Sequence, residues 1–441
     1  MSNNKLKETK IHILGGGPAG MSAAYYAHQN KIPFQLFEST DQIGGNAKTL
    51  QFDEFLFDTG AHRLHDKDEN VTKDIKKILN GAINEVSAPS KIFYSNQFID
   101  FPIRAGDILK KISYKTIFKI LSENIINLAS KSNNNNFKEL AYSNYGKTLA
   151  DLFLINYTEK LWGEPAEKLN SSISGGRLKN LNFCSAIKEI IMGDSSNNHL
   201  DGDFLYPKYG FGAIFTSIEK MLDENQISLN SPIKKLFHDG QRVNKILLEN
   251  AIEVNVDSVI STLPLPLLIN QLNPGAPEKI KNIVNEIRYR DLKLFILLLN
   301  KNKFSNNASI YFPQKEILFT RIYEPKNRSL MMAPKNKTSI VIEVPTSSNS
   351  KINELETFEI IKSFLIKKQF IENKDILNHK VISMPFAYPV IRSSDDFSEV
   401  YAYLSQIKNL HLLGRSAEFK YLHIHDLFNR SNQIIKNIKQ N

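Results

Sequence analysis

The chain has 441 residues, 41% apolar and 23% charged, which allows about two domains with large buried cores. Its 56 Lys and Arg exceed its 46 Asp and Glu, giving +10, but the excess is spread rather than gathered in blocks. That excludes a nucleic-acid tail and suits an anionic small ligand or an acidic membrane surface. One cysteine, Cys184, rules out an internal disulfide and a cysteine metal site, and no run reaches the roughly 18 apolar residues of a membrane span.

Met1 to Lys10 is polar with no secretory h-region, so the expectation is a cytoplasmic chain, with peripheral membrane contact left open. Ile11 to Leu14 then reads as a short strand, a glycine turn opens a helix to about Asn30, and Phe34 to Glu38 reads as a second strand. Residues 105–130 and 137–162 carry helical apolar spacing around a polar break, Lys131 to Asn136. A loop is expected at Gly193 to Gly202, a helix at Phe211 to Leu222 and a strand at Val256 to Ser261. From Leu292 to Val344 successive strands are predicted, over LKLFILLL, SIYF, LFTRIYE, SLMMA and SIVIEV. Helices return at Glu354 to Lys368 and after Tyr421.

The turn Gly15-x-Gly17-x-x-Gly20 sits between a strand and a helix, the context in which this spacing binds a dinucleotide. Gly15 allows the tight turn, Gly17 lets backbone approach a pyrophosphate, and Gly20 lets helix and strand pack closely. The helix start then faces the phosphates, and Glu38 is placed to accept from a ribose hydroxyl. Two further glycine-bearing loops, Gly44-Gly45-Asn46 and Asp58-Thr59-Gly60-Ala61-His62, suit a longer ligand extended across the domain, FAD rather than NAD. The expected fold is therefore α/β: a discontinuous, doubly wound Rossmann-type FAD domain over 8–90, 205–265 and 380–441. A helical insertion over 91–204 and a sheet-bearing substrate domain over 266–379 interrupt it.

Glu38 followed by IGGNAKT and FDTGAHRLH resembles the flavin monoamine-oxidase superfamily, and within it the UDP-galactopyranose mutases. YTEKLWG at 157–163, IRYRDLK at 287–293, FTRIYE at 319–324, AYPV at 387–390 and GRSAEFKY at 414–421 agree, in the family's order. The resemblance implies FAD as cofactor and a nucleotide-linked sugar as substrate. It implies that Arg177 and Arg321 clamp the diphosphate, that His65 lies beside the flavin, and that Trp162 lines the substrate cleft. It further implies that Gly414 and Arg415 border the flavin, that Tyr421 meets the substrate phosphates, and that the last helix aims its positive end at the flavin. An electron donor or acceptor, NAD(P)H, oxygen or a quinone, completes the implied partners. Protoporphyrinogen oxidase-like enzymes share the same motifs at the cofactor.

Three departures keep a second class open, one being that no residue after Arg177 aligns with a further tyrosine of the mutases. Tyr421 is followed by Leu422-His423 where bacterial mutases carry Tyr-Tyr-Asp, and Glu343-Val344-Pro345 replaces a Glu-Tyr-Pro that supplies a phosphate-binding tyrosine. The alternatives are a two-electron oxidase or dehydrogenase with an apolar cavity, and a flavin-binding scaffold without chemistry. His423-Ile424-His425-Asp426 has the wrong spacing for two ligands on one helix face, so no metal is expected.

Overall fold

Four consecutive buried residues form strand β1 (Ile11–Leu14), the pattern of a strand covered on both faces. The computed structural model describes residues 9–101, 110–127, 135–174, 203–348 and 350–440. Helix α1 (Pro18–Gln29) begins with proline in its first turn, where a missing N–H leaves no bond unmade. Strand β2 (Phe34–Phe37) runs parallel to β1 with Ile11 opposite Phe34, completing the βαβ unit. The sheet has five parallel strands in the order Leu410–Leu412, Ser258–Ser261, β1, β2, Ile227–Ser228. Strands far apart in sequence thus build one doubly wound sheet. Buried Ala19, Ala23, Ala24 and Ala27 keep α1 slim enough to lie between this sheet and the C-terminal helix.

Strands β3 (Thr49–Phe52) and β4 (Phe55–Asp58) form a hairpin that turns at Asp53 with φ of 52°. Strands β5 (Ser90–Tyr94) and β6 (Gln97–Phe101) form a second hairpin. Helices α2 (Tyr114–Asn127) and α3 (Asn156–Trp162) belong to the helical insertion. Beyond it come β7 (Tyr289–Leu299), β8 (Ser309–Tyr311), β9 (Arg321–Tyr323), β10 (Thr338–Ser347) and β11 (Ile376–Pro389). With β5 and β6 they make a seven-stranded sheet, ordered β11-β7-β10-β9-β8-β5-β6.

Alternation along β7 decides what each face touches. Leu292, Leu294, Ile296 and Leu298 pack on Phe55 and Phe57 of the β3–β4 hairpin, whereas Phe295, Leu297 and Leu299 pack towards the helix Glu354–Lys367. Each such fully buried side chain contributes about 1.5–3 kcal/mol relative to exposure. The inner face thereby fixes the sheet to the dinucleotide domain. The C-terminal helix α4 (Ile424–Gln440) is held to α1 by a buried hydroxyl pair, Ser22 Oγ to Ser431 Oγ at 2.6 Å.

The structure moves three expected boundaries. The first residues of the expected 91–204 insertion are strand, because β5 pairs in parallel with β8 of the substrate sheet. Residues 266–285, placed with the substrate domain from sequence, share a core with Leu14 and Val259 through Leu268, Ile280 and Val284. β11 carries the substrate sheet on to Pro389, past the expected boundary at 380. SLMMA is not a strand. Ser329 accepts from Met331 N–H and starts a 3-10 turn over Leu330–Met332, leaving Leu330 and Met331 exposed.

Candidate active site

The three glycines of the first turn meet different neighbours. A methyl group on Gly20 would sit 1.9 Å from the Gly15 carbonyl oxygen, and one on Gly15 would sit 2.2 Å from Thr262 Oγ1. Gly15 also has φ of 102°, the left-handed region that excludes side chains. Gly17 is different: an added methyl meets nothing nearer than Gly45 Cα at 3.8 Å. Gly17 therefore keeps clear a space that the protein itself leaves open. No side chain caps the start of α1 and no acid lies in its first turn, so its N–H groups and positive end are available to an anion.

The second glycine loop closes over the first. Gly44 N–H donates to the Gly16 carbonyl at 2.8 Å, and a methyl on Gly45 would come within 3.0 Å of Gly17 Cα. Asn46 then ties this loop to β11, its Nδ2 donating to the carbonyls of Pro385 and Phe386 at 3.1 and 3.2 Å. Glu38, expected to meet a ribose, is buried and braces the loop as well. Its Oε2 accepts from Gly16 N–H at 2.7 Å, and Oε1 accepts from the Thr40 N–H and hydroxyl at 2.9 and 2.8 Å. Gly414 (φ 111°) backs the same place, since a methyl there would lie 2.9 Å from Ala19 Cβ. A crevice at the open start of α1, with the Glu38 carboxylate against the same glycine turn, fits FAD.

The third loop brings His62 inward. Gly60 makes room for its ring, which a methyl would approach to 3.1 Å. His62 Nε2 donates to the Asn46 carbonyl at 3.0 Å, and Arg328 Nη1 donates to the His62 carbonyl at 3.1 Å. Burial, with Arg328 and Arg415 nearby, lowers the His62 pKa to about 3, so the ring is neutral. Sequence reasoning passed over Arg328, which is 2% exposed and stacks over Tyr323. It also passed over the structural task of Asp58. That carboxylate is fully buried and accepts from the Thr49 and Tyr206 hydroxyls and from Phe211 N–H. The His65 ring lies 6.1 Å from that of Phe204, next in the chain to Leu64, which pairs with Leu205.

On the substrate side, β9 and β10 set Arg321 directly opposite Glu343. The pair is bidentate, Nε to Oε2 at 2.9 Å and Nη2 to Oε1 at 2.7 Å, and Glu343 is buried. Burial pulls the Arg321 pKa down, but the adjacent carboxylate lifts it well above its ordinary value. The charge of Arg321 is thus answered within the chain by Glu343. Around it stand Tyr157 of α3, Tyr311 of β8 and Tyr388 of β11; burial and then Glu343 raise the Tyr388 hydroxyl to about 12. Trp162 is buried, 5.4 Å from the Tyr388 ring and 6.2 Å from the Tyr421 ring.

Arg415 stacks on Tyr421 with its guanidinium carbon 4.6 Å from the ring centroid, and donates to the Leu422 carbonyl at 2.8 Å. Among the described residues no carboxylate forms an ion pair with it. Arg415, His62, Arg321, Trp162 and Tyr421 therefore converge, while Arg177 lies outside the described residues, as does Cys184. The positive end of α4 is partly answered within the chain, because Asp426 accepts from His423 N–H at 2.8 Å. His425 is buried with its Nε2 3.4 Å from Thr72 Oγ1, while the His423 ring lies 5.5 Å from that of Tyr421. Among the described residues no three His, Cys, Asp or Glu side chains could hold a metal together.

Helix α3 is fastened by the half-buried Lys160. Lys160 Nζ lies 2.5–2.9 Å from the carbonyl oxygens of Phe312, Gln314, Ile317 and Phe319, which share its three N–H donors. Burial lowers its pKa to about 7, opposed by the nearby Glu316 carboxylate.

The family model of flavin-containing amine oxidoreductases matches residues 18–359. The corticosteroid-binding protein of Candida albicans is 22% identical over 335 residues, 69% of this chain and 63% of that protein, so the match spans less than two thirds of the relative's length. The structure of a reduced UDP-galactopyranose mutase superposes with a TM-score of 0.85 at 18% identity, covering 98% of this chain and 96% of that one. A protoporphyrinogen oxidase-like protein from Exiguobacterium gives 0.76 at 12% identity, covering 98% and 99%. Both show the fold. With most of its length matched by the family model, and with a crevice that fits the dinucleotide, the chain belongs to the flavin-containing amine oxidoreductases and is an FAD-dependent enzyme.

Proposed function

We propose that the enzyme acts on an anionic, ring-bearing substrate of the nucleotide-sugar class, interconverting isomers at the flavin. The observation that carries this reading is Arg415: a guanidinium without a carboxylate partner among the described residues, laid on Tyr421 beside Trp162 and Tyr388. A planar cation bordered by aromatic faces suits a phosphate attached to a ring system. FAD supplies nucleophilic or electron-transferring chemistry when bound. The chain holds the substrate: Arg415 takes its negative charge, and Trp162 and Tyr421 flank its ring. The reduced UDP-galactopyranose mutase of the same fold supports this choice of substrate class.

A second reading is an oxidase for a less polar substrate. It draws on the neutralisation of Arg321 by Glu343, and on a small apolar cavity lined by Ile92, Phe101, Phe153, Leu154, Tyr157 and Tyr311.

Calorimetric titration with UDP, followed by incubation of the dithionite-reduced protein with UDP- and dTDP-sugars, separates the two. UDP is expected to bind, and Arg415→Ala to weaken it roughly 10- to 100-fold, as loss of a charged hydrogen bond implies. A new sugar isomer completes the case. No heat with UDP, together with flavin bleaching by a substrate that gives no isomer, assigns the oxidase instead.

A further inference from the structure

Helix α2 buries one face and leaves an adjacent one uncovered. Ile117, Ile120 and Asn124 point inward, towards Ile92, Leu149 and Phe153. Beside them Tyr114, Phe118, Leu121 and Ile125 are 88%, 76%, 37% and 68% exposed. Their spacing of four, three and four residues aligns them in one stripe along the helix. Single exposed apolar residues need no explanation, but four in a row on one helix mark a contact surface.

The charges around the stripe say what covers it. Lys115 and Lys119 are exposed on its outer flank, and Lys110 is exposed just before the helix. The one carboxylate between residues 110 and 127, Glu123, is turned inward, where it accepts from Thr148 N–H at 2.6 Å and from the Thr148 hydroxyl at 2.8 Å. The outer surface of α2 therefore combines rings, aliphatic chains and ammonium groups with no outward acid. A helix with this division lies in the plane of a bilayer, its apolar stripe among the acyl chains and its lysines at anionic headgroups. A protein partner would need its own exposed apolar groove, and nothing in the charge pattern asks for one. No helix of the described residues is long and apolar enough to cross a membrane, so the contact is interfacial.

We propose that α2 docks the enzyme on the surface of a membrane containing anionic lipids. Ile117 and Ile120 of α2 share one core with Ile92, Phe101, Phe153 and Tyr311, which line the apolar cavity beside the candidate site. Docking through this face sets that cavity next to the lipid, whichever substrate the site takes.

Sedimentation of the full-length chain with vesicles tests the proposal. The vesicles are phosphatidylcholine alone, or phosphatidylcholine and phosphatidylglycerol in equal parts. The chain is expected to pellet with the mixed vesicles and to bind the neutral ones at least ~10-fold more weakly. The double variants Phe118→Ser with Ile125→Ser, and Lys115→Glu with Lys119→Glu, should each weaken binding to mixed vesicles at least ~10-fold while retaining bound flavin. Three results overturn it: a wild-type chain that stays in the supernatant, variants that bind as wild type does, or a wild-type dimer that the serine variant splits into monomers. The last would assign the face to a second copy of the chain.

Discussion

Replacing Gly17 by alanine separates cofactor binding from folding, because the protein itself does not fill the space the methyl would take. The nearest atom is Gly45 Cα at 3.8 Å, an ordinary contact, and Gly17 has φ of −71° and ψ of −175°, which alanine adopts freely. The apoprotein should therefore be as stable as wild type, or more stable by about 0.4–1 kcal/mol from reduced freedom of the unfolded chain. The pyrophosphate, in contrast, must approach this backbone closely. Losing or stretching one charge-assisted hydrogen bond there costs about 1.5–3 kcal/mol, or roughly 10- to 100-fold in FAD affinity. Gly20→Ala is the control. Its methyl would lie 1.9 Å from the Gly15 carbonyl, and the required shift should destabilise even the apoprotein by roughly 1–3 kcal/mol or more. Flavin release measured by fluorescence gives the affinity, and urea melts of the apoproteins give the stability. Unchanged FAD affinity in Gly17→Ala, or a Gly17→Ala apoprotein as damaged as Gly20→Ala, would refute the cradle.

The buried ion pair supplies a second prediction. Glu343→Gln leaves the Arg321 guanidinium without its counter-charge and should cost about 3–5 kcal/mol in urea unfolding, while Arg321→Met with Glu343→Leu should recover most of that. A loss under about 1 kcal/mol in the single variant contradicts the pairing. A third concerns acid. Burial lowers the pKa of His62 to about 3 and that of His12 to about 4, against about 6.5 in an unfolded chain. Between those values the unfolded state binds more protons, so stability present above pH 6.5 is lost as pH falls through the window. The loss approaches roughly 2 kcal/mol per histidine at pH 5. Urea midpoints from pH 7 to 5 should therefore fall, and fall less in His12→Leu; equal slopes in the two proteins would sink the assignment.

The dinucleotide half was legible because local sequence dictates it. Glycines that prevent clashes, a proline at a helix start and runs of buried apolar residues act within a few residues of one another. Arg321 and Glu343 show what was not legible. Each is a lone charge on an apolar strand, and only the register of β9 against β10 makes them partners. With the register known, the absence of a tyrosine after Glu343 matters less than the carboxylate itself. SLMMA misled for a related reason: apolar character suggested a strand, but Ser329 bonds locally and two of the apolar side chains stay in water. β5 and β6 could not be assigned to the substrate sheet from sequence, since their partner β8 lies some two hundred residues on. Arg328 and Lys160 were invisible for the same reason: their partners are carbonyl groups, which every residue has.

The carbonyl cage around Lys160 has a mechanical consequence. It rivets α3 to the segment 312–319 between β8 and β9, and Arg290 of β7 adds two bonds to the carbonyls of Lys160 and Leu161 at the end of that helix. Tyr157 and Trp162 on one wall, and Tyr311 and Arg321 on the other, are therefore parts of a single block. A ligand cannot gain room by prising these walls apart without breaking several bonds to Lys160 at once. The Arg415 guanidinium, laid on the Tyr421 ring and bonded to the Leu422 carbonyl, comes from the other side of the chain's fold, between the last strand of the parallel sheet and α4, and is no part of that riveting.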